Sequence, residues 1–226
     1  NFQMLQFFSK YKWFFVVMFV LSAIIIYTFY TVLKPTKKLP IYQPADVNVE
    51  LVDTTVQYVR KYHKIKDFEL INQNGEIVTQ QVFANKIYVA DFFFTTCQTI
   101  CPIMTDHMAN LQEELLNNDN VLLLSHTVQP EVDSVPQLKK YAKKKGVINS
   151  KWHLVTGKKK DIYDLARKSY LASKTDGNGG PYDMIHTENF VLVDQQRRIR
   201  GFYDGTKPES ITEILEDIKI LEREVE

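Results

Sequence analysis

The pattern of apolar and polar positions divides the chain into two unlike parts. From Trp13 to Leu33 the sequence WFFVVMFVLSAIIIYTFYTVL runs 21 residues without a charge. As a helix it would be about 30 Å long, enough to cross the hydrocarbon core of a bilayer. Trp13, Phe14 and Phe15 at one end and Tyr27, Phe29 and Tyr30 at the other suit the headgroup regions. The run is longer than the apolar core of a signal peptide and shows no small-residue cleavage site, so it reads as an uncleaved anchor. The expected division is a flank over 1–12, a transmembrane anchor over 13–33, a tether over 34–65 and one folded domain over 66–226.

The tether expectation rests on KPTKKLPIYQPADVNVE, with three prolines and no helical period. Beyond it the pattern becomes that of strands and helices. DFELINQNGEIVT sets two alternating runs around Asn74-Gly75, a hairpin signal. KIYVADFFF is a near-continuous apolar run, as in a strand buried on both faces. Met104, Met108, Leu111 and Leu115 then recur at helical spacing. VLLLSHTV predicts a second buried strand and SVPQLKKYAKKKGV a helix closed by Gly146. WHLVTG predicts a short strand and KKDIYDLARKSYLAS a helix, followed by a polar Gly-rich loop, KTDGNGGPYDM. ENFVLVDQQRRIRGFYDG reads as two antiparallel strands. A last amphipathic helix aligns Ile211, Ile214, Leu215, Ile218 and Leu221. The order β, β, β-α, β-α, β-α, β, β, α describes an α/β fold, a mixed sheet with helices on both faces.

Composition changes this picture little. The 226 residues are 45% hydrophobic and 24% charged, with eight glycines and eight prolines, which excludes a collagen-like or largely disordered chain. A net charge of +1 supplies no field toward nucleic acid, and none is expected as a partner. The lysine count around the span, Lys10 and Lys12 before it and Lys34, Lys37 and Lys38 after it, does not favour an exported domain.

The chemistry concentrates in DFFFTTCQTICPIMTDHM, which holds both cysteines of the chain, Cys97 and Cys101. They stand where a buried strand gives way to a helix, and Pro102 fits that helix's first turn. Thioredoxin-like folds place their active thiols at such a junction. A helix N-terminus favours a thiolate, and two sulfurs four residues apart can form a disulfide or share a soft metal, copper(I) or zinc. A structural disulfide is the plain alternative, but so short a loop constrains little of the unfolded chain. A metal would need a third ligand. His107 falls well along the helix, His126 and His153 fall inside strands, and His63 falls in the tether. His186 ranks first because the Gly-rich loop could deliver it to the cysteine turn, although a lone histidine is by default a packed or edge residue.

These residues resemble a known family. FFFTTCQTICPIMT is similar to the C-x-x-x-C-P segment of the Sco/SenC copper chaperones, and PYDMIHT resembles their distal Y-x-x-x-H-[S/T] element. TVQPEVDSVPQLKKYAKKKG and WHLVTG match between the two. The resemblance spans roughly residues 66–222. It implies a thioredoxin-like domain behind a membrane anchor, binding one copper ion, Cu(I) or Cu(II), through Cys97, Cys101 and His186. It implies service in assembling the CuA centre of cytochrome c oxidase, with the oxidase subunit that carries CuA and an upstream copper donor as partners. It also implies a single-pass protein of the cytoplasmic (inner) membrane with its C-terminal domain extracytoplasmic, against the lysine count. One departure stands out: family members commonly carry Asp before the histidine, where this chain has Ile185, with Asp183 two positions earlier.

The function expected is therefore copper binding and delivery, which needs no catalytic acid or base. The alternative is a thiol–disulfide oxidoreductase using Cys97 and Cys101 to reduce the client's cysteines before copper loading. Against it stands the spacing, since dedicated enzymes of this fold use C-x-x-C. A peroxide-reducing thiol enzyme would want an arginine beside the attacking cysteine, and the segment has none.

Overall fold

The computed structural model describes residues 10–33, 37–48, 52–173 and 183–225. The flank before residue 10, residues 34–36 and 49–51 of the tether, positions 174–182 of the Gly-rich loop and Glu226 therefore lie outside the described residues. The chain falls into two units, Asn1–Lys37 and Lys38–Glu226.

Among its described residues the first unit forms the helix α1 (Lys12–Leu33). It is long and apolar enough to cross a membrane.

The second unit is built on a seven-stranded mixed sheet. Its strands are β1 (Glu69–Asn72), β2 (Ile77–Thr79), β3 (Ile87–Phe93), β4 (Val121–Thr127), β5 (Trp152–Thr156), β6 (Asn189–Val193) and β7 (Ile199–Asp204). Their order across the sheet is β2-β1-β5-β4-β3-β6-β7. β3, β4 and β5 run parallel, and the outer pairings are antiparallel. Every residue of β3 and of β4 is buried, as their apolar runs require of strands covered on both faces. β1 and β2 form the expected hairpin. Gly75 takes φ +81 in its turn, and the Asn72 carboxamide oxygen accepts the N–H groups of Asn74 and Glu76.

Helices cover both faces. On one lie α2 (Ile100–Glu114), α3 (Val135–Lys145) and α5 (Glu209–Val225). Met104, Met108 and Leu111 of α2, Leu138 of α3 and Ile214, Ile218 and Leu221 of α5 bury against Val89, Phe93, Leu123 and Trp152. Burial of this kind contributes about 1.5–3 kcal/mol per large side chain. Gly146, left-handed at φ +70, stops α3 as its position predicts. On the other face α4 (Lys159–Asp164) packs Ile162 and Tyr163 against Tyr88, Phe92 and Leu124.

Two expectations are corrected. The segment read as a tether over 34–65 belongs to the folded unit from Lys38 onward. Leu39, Val52 and Ile65 are buried, Tyr42 pairs with Ile199 as an isolated bridge, and the Ile65 N–H donates to the Arg197 carbonyl. Arg200 holds the start of this segment through the carbonyls of Leu39 and Pro40, and also binds Asp194 and Glu224. Pro44 is buried and opens a short 3-10 turn, Pro44–Asp46, against the domain. The helix expected over KKDIYDLARKSYLAS is shorter than its apolar period suggests: α4 passes into a π turn, Leu165–Ser169, and Leu171 at φ +53 turns its side chain into the core. Ser169 is taken up by the N-terminal segment, its hydroxyl accepting from Lys66 N–H and its carbonyl meeting His63 Nε2.

Candidate metal centre

The cysteine loop hangs between the end of β3 and the start of α2. Helix α2 begins at Ile100, so Cys101 and Pro102 lie in its first turn while Cys97 precedes it. Below the loop, Asp133 is wholly buried and accepts the Thr95 N–H at 3.1 Å, the Thr95 hydroxyl at 2.5 Å and the Thr127 hydroxyl. Gln137 donates to the Thr95 hydroxyl at 2.9 Å, and Thr96 donates to the Gln129 side chain at 2.9 Å. The first half of the loop is thereby tied to the end of β4 and the start of α3. The Cys97 N–H donates to the Phe94 carbonyl at 3.3 Å, closing the turn.

The two thiols are unequal. Cys97 is partly exposed, and Cys101 is 3% exposed among the α2 core residues. Burial raises the Cys97 pKa, but hydrogen bonds from the Cys101 thiol and from the Thr99 N–H and hydroxyl outweigh it and bring it down to about 7. Burial pushes Cys101 up to about 12, and the neighbouring Cys97 sulfur adds to the rise. At neutral pH the outer sulfur is poised near ionisation and the inner one is a thiol donating to it. Asp91 lies on the same side of β3 as Val89 and Phe93, the side α2 covers. Burial raises it to about 7 against the bond from the Ser125 hydroxyl, and Ser125 in turn accepts from Trp152 Nε1 at 2.8 Å. Its charge further opposes ionisation of Cys101.

His186 is exposed and meets Phe94 edge to face, with ring centroids 6.1 Å apart. It is thus placed beside the cysteine loop. Among the described residues, however, no group of three His, Cys, Asp or Glu side chains is close enough to hold a metal. Asp183 stands two positions before Ile185, at the place the sequence offered for a compensating carboxylate. It forms a two-pronged pair with Arg167, both bonds 2.7 Å, while Ile185 is in the core. The other histidines are engaged elsewhere. His107 Nδ1 meets the Gly205 carbonyl at 2.7 Å, His63 meets Ser169, His126 stacks on Phe92, and His153 packs edge-on against Phe83.

Two sulfurs at one turn, one of them near ionisation, suit a soft cation, and an imidazole beside them is a compatible third donor. Sequence reading missed the support beneath them. The carboxylate of Asp91 inside the apolar run KIYVADFFF was a visible signal, since a charge in a fully buried strand needs a partner. Asp133 gave none, because it resembles an ordinary polar residue before a helix.

The SCO1/SenC family profile matches residues 56–221. The SCO1 protein homolog of Bacillus subtilis is 34% identical over 161 residues, covering 70% of this chain and 82% of that protein. Among solved structures, BsSco is a member of the Sco family of cytochrome c oxidase assembly proteins in which a disulfide switch has been identified. It superposes with a TM-score of 0.61 at 31% identity, over 70% of this chain and 93% of its own. Bradyrhizobium japonicum ScoI with copper bound shares the fold, with a TM-score of 0.54 at 19% identity over 69% of this chain and 99% of its own. With a dithiol loop on a thioredoxin-like sheet, and with the family profile matching most of the folded unit, the chain belongs to the SCO1/SenC family.

Proposed function

We propose that the protein takes up one copper ion per chain through Cys97, Cys101 and His186 and delivers it to the CuA centre of cytochrome c oxidase. The observation that supports this most is the pair of unequal thiols on one turn, with His186 against the neighbouring Phe94. A near-ionised Cys97 and the Cys101 thiol bonded to it sit on one turn, and His186 leans on Phe94 three residues before Cys97. Family membership adds the cargo, since relatives on this fold bind copper and serve oxidase assembly. Copper(I) suits two sulfurs and an imidazole, and an exposed outer ligand allows transfer by ligand exchange. The apolar helix α1 anchors the protein in the inner membrane, with the copper domain on its outer side.

The test is copper binding by the reduced chain, with Cys97→Ser and His186→Ala alongside. One copper per chain, lost in the first variant and weakened in the second, is the expected result. Copper binding indifferent to both substitutions would overturn the proposal.

A second reading is favoured by the unequal thiols. Cys97 is suited to attack a partner's disulfide and the buried Cys101 to resolve the mixed disulfide. Rapid exchange with the disulfide of an oxidised oxidase subunit, with copper binding weak, would select this reading instead.

A further inference from the structure

The segment that leads into β6 alternates in exposure. Met184 and His186 face solvent, while Ile185 and Thr187 face inward. Three contacts fix it. Ile185 is buried in the core, and the Asp183 carboxylate takes both prongs of Arg167, each side chain only 7% exposed. The third contact is the Tyr163 hydroxyl, whose proton is shared between the carbonyls of Val128 at 2.8 Å and Asp183 at 3.1 Å. Val128 follows Thr127, a donor to Asp133 under the cysteine loop, and its own N–H donates to the Phe93 carbonyl at 2.8 Å. The hydroxyl of Tyr163 therefore joins the ground on which the cysteine loop stands to the segment that carries His186. The Arg167 guanidinium lies 5.4 Å over the Tyr163 ring, so the fork and the hydroxyl act as one unit. The π turn that interrupts α4 sets where Arg167 points.

We propose that the Tyr163 hydroxyl, backed by the Arg167–Asp183 pair, is a positioning device that keeps the His186 segment in register with the cysteine loop and so governs how well the histidine joins the two sulfurs on copper. This rests on the reading of His186 as a ligand. Tyr163 touches neither sulfur nor imidazole among the described contacts, and its effect would pass entirely through His186. In this chain it takes the place of a carboxylate adjacent to the histidine, orienting the backbone instead of the ring.

Tyr163→Phe removes one oxygen and leaves the buried ring and its arginine in place. In the reduced full chain, copper(I) affinity is measured by competition with a chromogenic chelator, and the ligand set by X-ray absorption. The expected result is affinity about tenfold weaker, a reduced nitrogen contribution to the copper shell, and an unchanged rate of Cys97 alkylation. In the His186→Ala background the same substitution should add nothing, because a residue acting through a histidine has no effect once it is gone. Unchanged affinity in Tyr163→Phe, with His186→Ala weakened, would overturn the positioning role and leave the copper reading standing. An equal loss with and without His186 would also overturn it. Unchanged affinity in His186→Ala alone would overturn the ligand reading and the positioning role together.

Discussion

Asp133 holds Thr95 twice, by the main-chain N–H and by the hydroxyl, and this pair fixes the loop that leads to Cys97. A carboxylate with no exposed surface and three donors on it leaves those donors orphaned when it is removed. Asp133→Ala is expected to cost roughly 3 kcal/mol of stability. Asp133→Asn should recover part of it by keeping one acceptor oxygen. Urea unfolding of the three proteins checks the order.

The unequal thiols predict selective chemistry. Iodoacetamide should modify Cys97 of the reduced apo-protein with a midpoint at about pH 7, following ionisation of that sulfur. Cys101, with its pKa near 12, should stay unmodified at neutral pH. In Cys97→Ser the remaining thiol should be almost inert. Mass spectrometry of peptides alkylated across a pH series reads both sulfurs, and faster labelling of Cys101 would contradict the geometry.

Two buried titratable groups on adjacent strands push stability in opposite directions. His126 is lowered by burial to about 4, so the unfolded chain gains a proton that the folded one refuses as pH falls from 6.5 to about 4. Stability is present above that window and lost through it, by roughly 3 kcal/mol. Asp91 is raised by burial from 3.8 to about 7, so the folded chain keeps a proton that the unfolded one sheds. Its contribution is present at acid pH and lost as pH rises through that window. The stability of His126→Phe relative to the unaltered chain should therefore climb as pH falls from 6.5 to 4. That of Asp91→Asn should climb as pH rises from 4 to 7. Chemical denaturation at several pH values gives both difference curves, and a flat curve for either variant would rule out its assignment.

Arg200 is buried between Asp194, Glu224 and the carbonyls of Leu39 and Pro40. Arg200→Met leaves carboxylates without their cation, a loss of about 3 kcal/mol or more. It should also free the segment that follows residue 37. Limited proteolysis should then cut near Lys38 at a rate well above that of the unaltered protein.

Much of this fold was legible because its signals are local. β3 and β4 announce themselves by unbroken apolar runs, the hairpin by Asn74-Gly75, and the end of α3 by Gly146. The π turn was not legible, since Ile162, Tyr163, Leu165 and Ala166 continue a helical apolar pattern and the break is imposed by what Ser169 binds. The packed segment after Lys38 was missed for the same reason. Leu39, Val52 and Ile65 follow no helical or strand period, and the Ile65 N–H finds its partner at Arg197, far along the chain. At the site, the sequence displays the cysteine spacing and the place of His186 after a Gly-rich loop, and the structure adds that His186 meets Phe94. The roles of Asp133 and Tyr163 depend on partners 38 and 20 residues away, a relation no local pattern records.

Phe94 packs against the cores on both faces of the sheet, so its ring stands at the sheet's rim with little freedom to turn. His186 meets that ring at 87°. A fixed aromatic ring shifts the magnetic resonance of protons near it, strongly and with an angular dependence. The imidazole protons of His186 therefore carry a built-in gauge of their own position. Any movement of the histidine toward the sulfurs will register as a displaced proton signal, before a metal is added and without a label.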